Sequence, residues 1–502
     1  MRGTVRVQSS RAIRLRAFTL ALGLAGTLGA GAAAADEAAL QAEMRKLAER
    51  VEQLEQRNRE LEKKLEVRET AEPRLKALEE AQAQTTKALA SERLSEREPE
   101  LVTRLKAVEF ETLEMKKQAR QIEALEGISV GASLTGVVQQ VGAHGAADGE
   151  RQERANYRGD VSVALPGGEM GDIEGKIFTH FRFGQGEGVG LRPTYTSTPN
   201  SVAFQTNAGP DNSFAILAQA WYQLTVPLPL GGFKPQSRER LEFTFGKMDP
   251  FLFFDQNAIA DDETVRFMNN VFVHNPLLDS GGDVGADAHG FTPGARLAYF
   301  NERDKPDTWG VSLGVFGSGP GANFSGSLAD PFFIGQLETT RRFATGLPGT
   351  YRVYAWRNGR ALDFTGASER HSGWGLSVDQ RVAEDVTLFG RLGAEARGHV
   401  RFDRAFTLGA EVGGSYWGRA ADAVGLAAGL MRTSAEYRDA TADGTLVGYA
   451  ASGSEREVEL YYRWRANNRF DLTPDLQWLQ RPGGDGSASS FWLAALRARI
   501  GF

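Results

Sequence analysis

The 502-residue chain contains no cysteine, which excludes thiol nucleophiles, cysteine-ligated metals and a disulfide framework, and is compatible with an oxidising compartment. Its six histidines (His144, His180, His274, His289, His371 and His399) are scattered, with no HExxH pair among them. No GxSxG or P-loop stands between a strand and a helix, so nothing supports an enzyme. Beyond the N-terminus no apolar run approaches the roughly 20 residues of a membrane helix. That absence says nothing against a barrel, whose strands alternate in character and escape a helix criterion. Lysine is nearly missing from residue 127 onward, with four (Lys176, Lys234, Lys247, Lys305) against 31 arginines. The net charge of −6 gives no case for nucleic acid. What is plentiful is glycine, at 58 residues, with 10% aromatics, a composition suited to many strands and turns.

At the N-terminus Arg2, Arg6, Arg11, Arg14 and Arg16 precede an apolar core over 17–28 and a small-residue run at 32–35 before Asp36. This predicts a secretory signal, 1–35, with a membrane anchor as the alternative; the core is short for an anchor. From 36 to 126 the pattern is helical. Leu40, Met44, Leu47, Val51, Leu54, Asn58, Leu61 and Leu65 recur in alternating steps of four and three between charged residues. Such a heptad seam predicts a periplasmic coiled coil through which several chains meet, with Asn58 able to fix register. A single solvated helix is the alternative. Pro73 and Pro99 interrupt it, and a weaker seam (Leu101, Leu105, Val108, Met115, Ile122) leads to Gly127.

At residue 128 the period changes to two. Ile173, Ile177, Phe181 and Phe183 alternate with Glu174, Lys176, His180 and Arg182; Val458, Leu460, Tyr462 and Trp464 alternate with Glu457, Glu459, Tyr461 and Arg463. The chain closes on Trp492, Ala494, Leu496, Ala498, Ile500 and Phe502 against Ala495, Arg497, Arg499 and Gly501. An oily row for lipid and a charged row for a wet lumen fit an all-β transmembrane barrel, spanning 127–502. Sixteen such segments are read, near 128–141, 156–165, 171–183, 214–226, 239–247, 290–300, 307–317, 331–343, 350–360, 372–381, 386–395, 404–416, 422–433, 455–466, 470–479 and 490–502. Fourteen or eighteen are alternatives. Long connections alternate with mostly short ones, the layout of an outer-membrane barrel large enough for an aqueous channel.

Four separated stretches also resemble a known family. They are GKMDPFLFFDQNAIADDETVRFMNNVFVHNP (246–276), HSGWGLSVDQ with VTLFGR (371–391), FDRAFTLGAEVGGSYWGRAADAVGLA (402–427), and EVELYYRW with LTPDLQWLQRPGG (457–484). Together, and in this order, they are similar to the carbohydrate-selective porins of the OprB family. The resemblance implies a sixteen-stranded barrel in the outer membrane of a Gram-negative bacterium that passes small sugars by diffusion, with no cofactor and no energy source. The coiled segment departs from the simplest members.

Arginine's planar fork can bond two sugar hydroxyls and can stack, which lysine cannot. Inward-reading positions hold Arg182, Arg296, Arg352, Arg463 and Arg497, with Arg391 and Arg499 less clearly placed; Tyr354, Trp356, Phe389 and Tyr461 share that side. The alternative for each arginine is to brace the wall against Glu174, Glu457, Glu459 or Asp475. The 248–289 connection is too long for a turn, and Phe251, Phe253, Phe254, Phe267 and Phe272 predict that it folds inward as a constriction. Its polar candidates for solute contact are Asp255, Gln256, Arg266 and Asn269. Asp255, Asp261, Asp262 and Glu263 could instead gather calcium, but their spacing matches no loop motif. Two further readings stay open: an anion channel for phosphate or organic acids, which the same arginines suit, and a structural envelope protein whose coil tethers the outer membrane to peptidoglycan.

Overall fold

The computed structural model describes residues 128–192, 198–204, 212–231, 237–278, 289–319, 324–343 and 346–502. The predicted signal segment and both helical seams lie outside the described residues. Sixteen strands follow one another: β1 (Ser129–Val141), β2 (Gln152–Met170), β3 (Ile173–Gly186), β4 (Phe214–Leu228), β5 (Glu239–Met248), β6 (Thr292–Asp304), β7 (Asp307–Phe316) and β8 (Phe332–Phe343). The second half comprises β9 (Leu347–Leu362), β10 (Ser368–Ala383), β11 (Val386–Arg397), β12 (Phe402–Gly413), β13 (Ala423–Thr433), β14 (Glu455–Arg465), β15 (Phe470–Gln480) and β16 (Phe491–Gly501). Each pairs antiparallel with its neighbours in sequence, and β1 pairs with β16, from Ser133 opposite Gly501 to Val141 opposite Leu493, so the sheet is a closed barrel. Closure satisfies every ladder and leaves no edge, the condition for crossing a bilayer with strands. The predicted strand at 404–416 stops earlier, at Gly413, because the chain turns there through a 3₁₀ segment, Gly414–Trp417, before β13.

The period of two sorts the side chains as expected. Outward positions carry large exposed apolar residues, among them Leu297, Leu313, Leu337, Val353, Leu376, Leu460 and Leu496. Register joins them into rows around the barrel: Leu376 stands opposite Val353 and Val353 opposite Leu337, while Leu313 stands opposite Leu297 and Leu297 opposite Phe243. A girdle of this extent on a water-facing surface would be an aggregation site, and in a bilayer it is the lipid contact.

The apolar core lies inside the barrel. The β5–β6 connection runs inward, starting with a 3₁₀ turn, Pro250–Leu252, and including a one-turn helix, α1 (Asn270–Val273). Asp249 and Asn269 cap these two turns by accepting hydrogen bonds from the Phe251 and Val271 amides. Phe254, Phe267, Val271, Phe272 and Leu278 of this connection pack against Phe316, Phe332, Tyr354, Trp356, Phe389, Met431 and Tyr461 of the wall. Four of the five phenylalanines that predict inward folding lie buried in this core and Phe253 packs against it, together with wall residues.

Candidate functional site

The inner loop is tied to the wall by charged side chains that the strands point inward. Arg391 of β11, 2% exposed, donates from Nε to Asp255 Oδ1 (3.1 Å) and from its Nη atoms to the carbonyls of Phe272 (2.8 Å), Asp255 (2.9 Å) and Ala260 (2.6 Å). Asp255 completes the latch: its carboxylate accepts from Tyr354 Oη (2.7 Å) and the Asn275 amide (2.6 Å), and its own amide donates to Gln336 (2.9 Å). It does so with φ of 55°, a left-handed backbone that aspartate tolerates better than most residues. On the other side, Glu459 accepts from the Met268 (2.5 Å) and Asn269 (3.0 Å) amides, and Asn269 Nδ2 donates to Glu457 (2.7 Å) and Gln477 (3.2 Å). Arg497 Nη1 donates to the carbonyls of Glu263 (2.8 Å) and Arg266 (2.7 Å).

The structure therefore places four of the sequence candidates, Arg391, Arg497, Asp255 and Asn269, as anchors of the loop. Others brace the wall. Arg296 donates to Glu242 (2.9 Å) and Ser312 (3.1 Å), and Arg352 to Asp379 (2.9 Å). Glu411 gathers three more: Arg463 (3.6 Å), Arg266 (3.5 Å) and the Tyr461 hydroxyl. Trp356 packs beside Tyr354 in the apolar core, with ring centroids 6.2 Å apart. Gln256 donates to the Leu252 carbonyl at the loop's first bend, and its own carbonyl accepts from Ser377 (3.0 Å). The four acids weighed for calcium turn to different partners: Asp255 to Arg391, Asp261 toward His274 (3.7 Å), Asp262 to Thr264 (2.6 Å) and Glu263 to Arg158 (2.7 Å). Among the described residues no metal-binding group of three or more such side chains converges.

Between the inner loop and the wall of β1, β2, β3 and β16 the lumen stays open as a cavity of about 710 Å³. Arg182 lines it, as the alternation predicts, and with it a set that the sequence reading missed. Asp160 is the hub, accepting from Arg158 Nε (2.9 Å), His180 Nε2 (2.8 Å) and Arg182 Nε (2.8 Å). The Arg182 guanidinium sits 5.2 Å from the Phe291 ring centre and 6.0 Å from that of Phe204, within cation–π reach. Phe251 lines the same cavity and stacks on His274 at 4.0 Å. A second connection, between β3 and β4, closes one side; its Pro199 carbonyl accepts from Gln139 (3.1 Å) and Gln477 (2.9 Å), and the Ser201 carbonyl from Arg158 (3.1 Å).

The loop contributes acids and the wall cations. Burial pushes the Glu263 carboxyl up, but the Arg158 and Arg182 guanidiniums more than offset this and hold it below its usual range. Asp261 has no such partner: burial, with Asp255 and Asp249 nearby, pushes it up to about 7 against the opposing pull of His274 and Arg391. It is neutral below that pH and adds a negative charge to the cavity above it. Cation-over-anion selectivity should therefore rise as pH climbs through 7, and Asp261→Asn should flatten that step; an equally steep step in the variant would assign it elsewhere. The measurement is reversal potential in a salt gradient.

The profile described as carbohydrate-selective porin, OprB family, matches residues 100–502. Among solved structures, the high-pH structure of Pseudomonas putida OprB superposes with a TM-score of 0.61 at 17% identity, covering 76% of this chain and 96% of that one. The low-pH structure of the same protein gives 0.45 at 15% identity over 77% and 96% of the two chains. A mutant of Rh. blastica porin gives 0.43 at 9% identity over 75% and 100%. No curated protein matches by sequence. The first superposition supports the barrel fold, and the profile, which spans all sixteen strands, carries the family: this chain belongs to the OprB family of carbohydrate-selective porins.

Proposed function

We propose that the cavity beside β1–β3 is the constriction of a passive channel for small neutral sugars in the outer membrane of a Gram-negative bacterium. One observation carries this reading: the Arg158, Asp160, His180 and Arg182 ladder and the rings of Phe204, Phe251 and Phe291 line the same opening. A sugar has both faces this requires, hydroxyls for charged donors and acceptors and C–H surface for aromatic rings. The ladder is already internally bonded, so it is held in place before a solute arrives, which lowers the ordering cost of binding. Diffusion through such a site needs neither cofactor nor energy source.

The test is single-channel current in a planar bilayer during titration with neutral mono- and disaccharides. Stepwise closure is expected. Phe291→Ala removes a ring without removing a side-chain hydrogen bond and should weaken sugar block by about threefold to tenfold. Current that no neutral sugar interrupts would remove the assignment.

We further propose the domain plan read from the sequence, with a signal at 1–35, a coiled coil at 36–126 and the barrel from 127. Its seam at Leu40, Leu47, Leu54, Asn58 and Leu61 would join copies of the chain, and its charged surface could contact peptidoglycan. Deleting 36–126 separates these roles, since conductance belongs to the barrel and an envelope tether to the coil.

A further inference from the structure

Three arginines line the cavity, and they are not equivalent. Arg158 is paired with Asp160 and Glu263, and Arg182 with Asp160. Arg499 of β16, half-buried at the end of the cavity nearest the chain terminus, makes no hydrogen bond or ion pair with any described residue, and its Nε is buried without a partner. The wall beside it is equally unsatisfied. Register sets Arg499 opposite Thr135 and Thr135 opposite Arg158, and the Thr135 hydroxyl, on a residue with no exposure, also lacks a partner among the described residues. Ser133, two residues along β1, lines the cavity with a further hydroxyl. Buried polar groups are rarely left unmatched, and a guanidinium fork is the side chain best shaped to hold two oxygens of a carboxylate or a phosphate.

Resting on the sugar-channel reading, we propose that Arg499, with Ser133, is a specificity site for monosaccharides that carry an oxyanion, either a carboxylate or a phosphate. The ring lies in the open space beside the Arg182–Asp160 ladder, and its anionic group meets Arg499. The engagement of the loop's acids supports this polarity. Glu263 is neutralised by Arg158, and Asp262 accepts from the Thr264 amide and hydroxyl, so neither competes for Arg499.

The experiment measures half-blocking concentrations for glucose, glucuronate, glucose 6-phosphate, acetate and inorganic phosphate in the full-length protein, in Arg499→Gln and in Arg499→Lys. In the parent, glucuronate or glucose 6-phosphate should block at about one-tenth the concentration of glucose. Which of the two blocks better distinguishes carboxylate from phosphate. The ratio to glucose should collapse toward one in Arg499→Gln and be partly kept in Arg499→Lys, which retains the charge without the fork. A parent ratio near one, or a ratio untouched by Arg499→Gln, overturns the proposal, and so does block by acetate or phosphate alone at the same concentration. If glucose never blocks but glucuronate does and needs Arg499, the neutral-sugar reading falls and the oxyanion site stands.

Discussion

Replacing Arg391 with alanine is expected to raise conductance several-fold and to abolish discrimination between mono- and disaccharides. Arg391 is a fully buried cation of the latch and holds the inner loop at three separate residues, Asp255, Ala260 and Phe272. Its removal leaves the Asp255 carboxylate enclosed without a cation and three carbonyls without a donor. Breaking one side of a buried pair in this way costs about 3–5 kcal/mol, enough to favour release of the loop from the wall. The barrel itself is held by its ladders and its lipid girdle, so the variant should remain a folded, heat-modifiable band on gels while losing its sieve. Arg391→Lys can renew only part of the bonding and should fall between. A variant with parental current and parental sugar block would mean that the apolar packing of Phe254, Phe267 and Phe272 holds the loop unaided.

An arginine at Leu337 is expected to cost about 2–4 kcal/mol of barrel stability, the largest loss foreseen for a lipid-facing substitution. Leu337 is 56% exposed and sits in the girdle row with Val353 and Leu376. A guanidinium there must either snorkel to the interface or carry its charge into hydrocarbon. The same substitution at Thr340, on the opposite face of the same strand, should be tolerated far better, because that side is wet. Urea titration of the refolded protein in vesicles measures both. Equal midpoints for Leu337→Arg and the parent would contradict the assignment of this face to lipid.

The barrel was almost wholly legible in the sequence, because facing in a strand depends on parity alone. Ile177, Phe181, Leu460 and Leu496 announce one side and His180, Arg182, Tyr461 and Arg497 the other before any partner is known. The inward fold of the described part of this connection, 249–278, was legible for the same kind of reason, since five phenylalanines cannot be left in water. The roles of the inward charges were not. Parity sets Arg497 and Arg182 toward the lumen, and Arg391 less clearly; it does not state which lie under a loop. Arg391 and Arg497 meet loop carbonyls more than a hundred residues away, whereas Arg182 meets Asp160 across one short hairpin and stays beside open space. Asp160 lies on the polar row of β2 with Asn156, Arg158 and Ser162, but the sequence does not say which partners it gathers; the register opposite Arg182 shows it as a hub. Alternation within β2, which puts Arg158 and Asp160 on one face, together with that over His180 and Arg182 across the short turn, was the cue that could have found it.

Besides the latch on β8, β9 and β11, a second group of anchors for the inner loop lies near the seam where the first and last strands meet. Glu263 is gripped by Arg158 of β2 and, through its carbonyl, by Arg497 of β16, while Met268 hangs from Glu459 of β14. A chain whose final strand has not zipped onto its first therefore has no complete harness for the loop. Sealing the cylinder therefore brings together the last grips on the sieve, so the finished ring carries its own guard across the wide hole that an empty sixteen-strand ring would open.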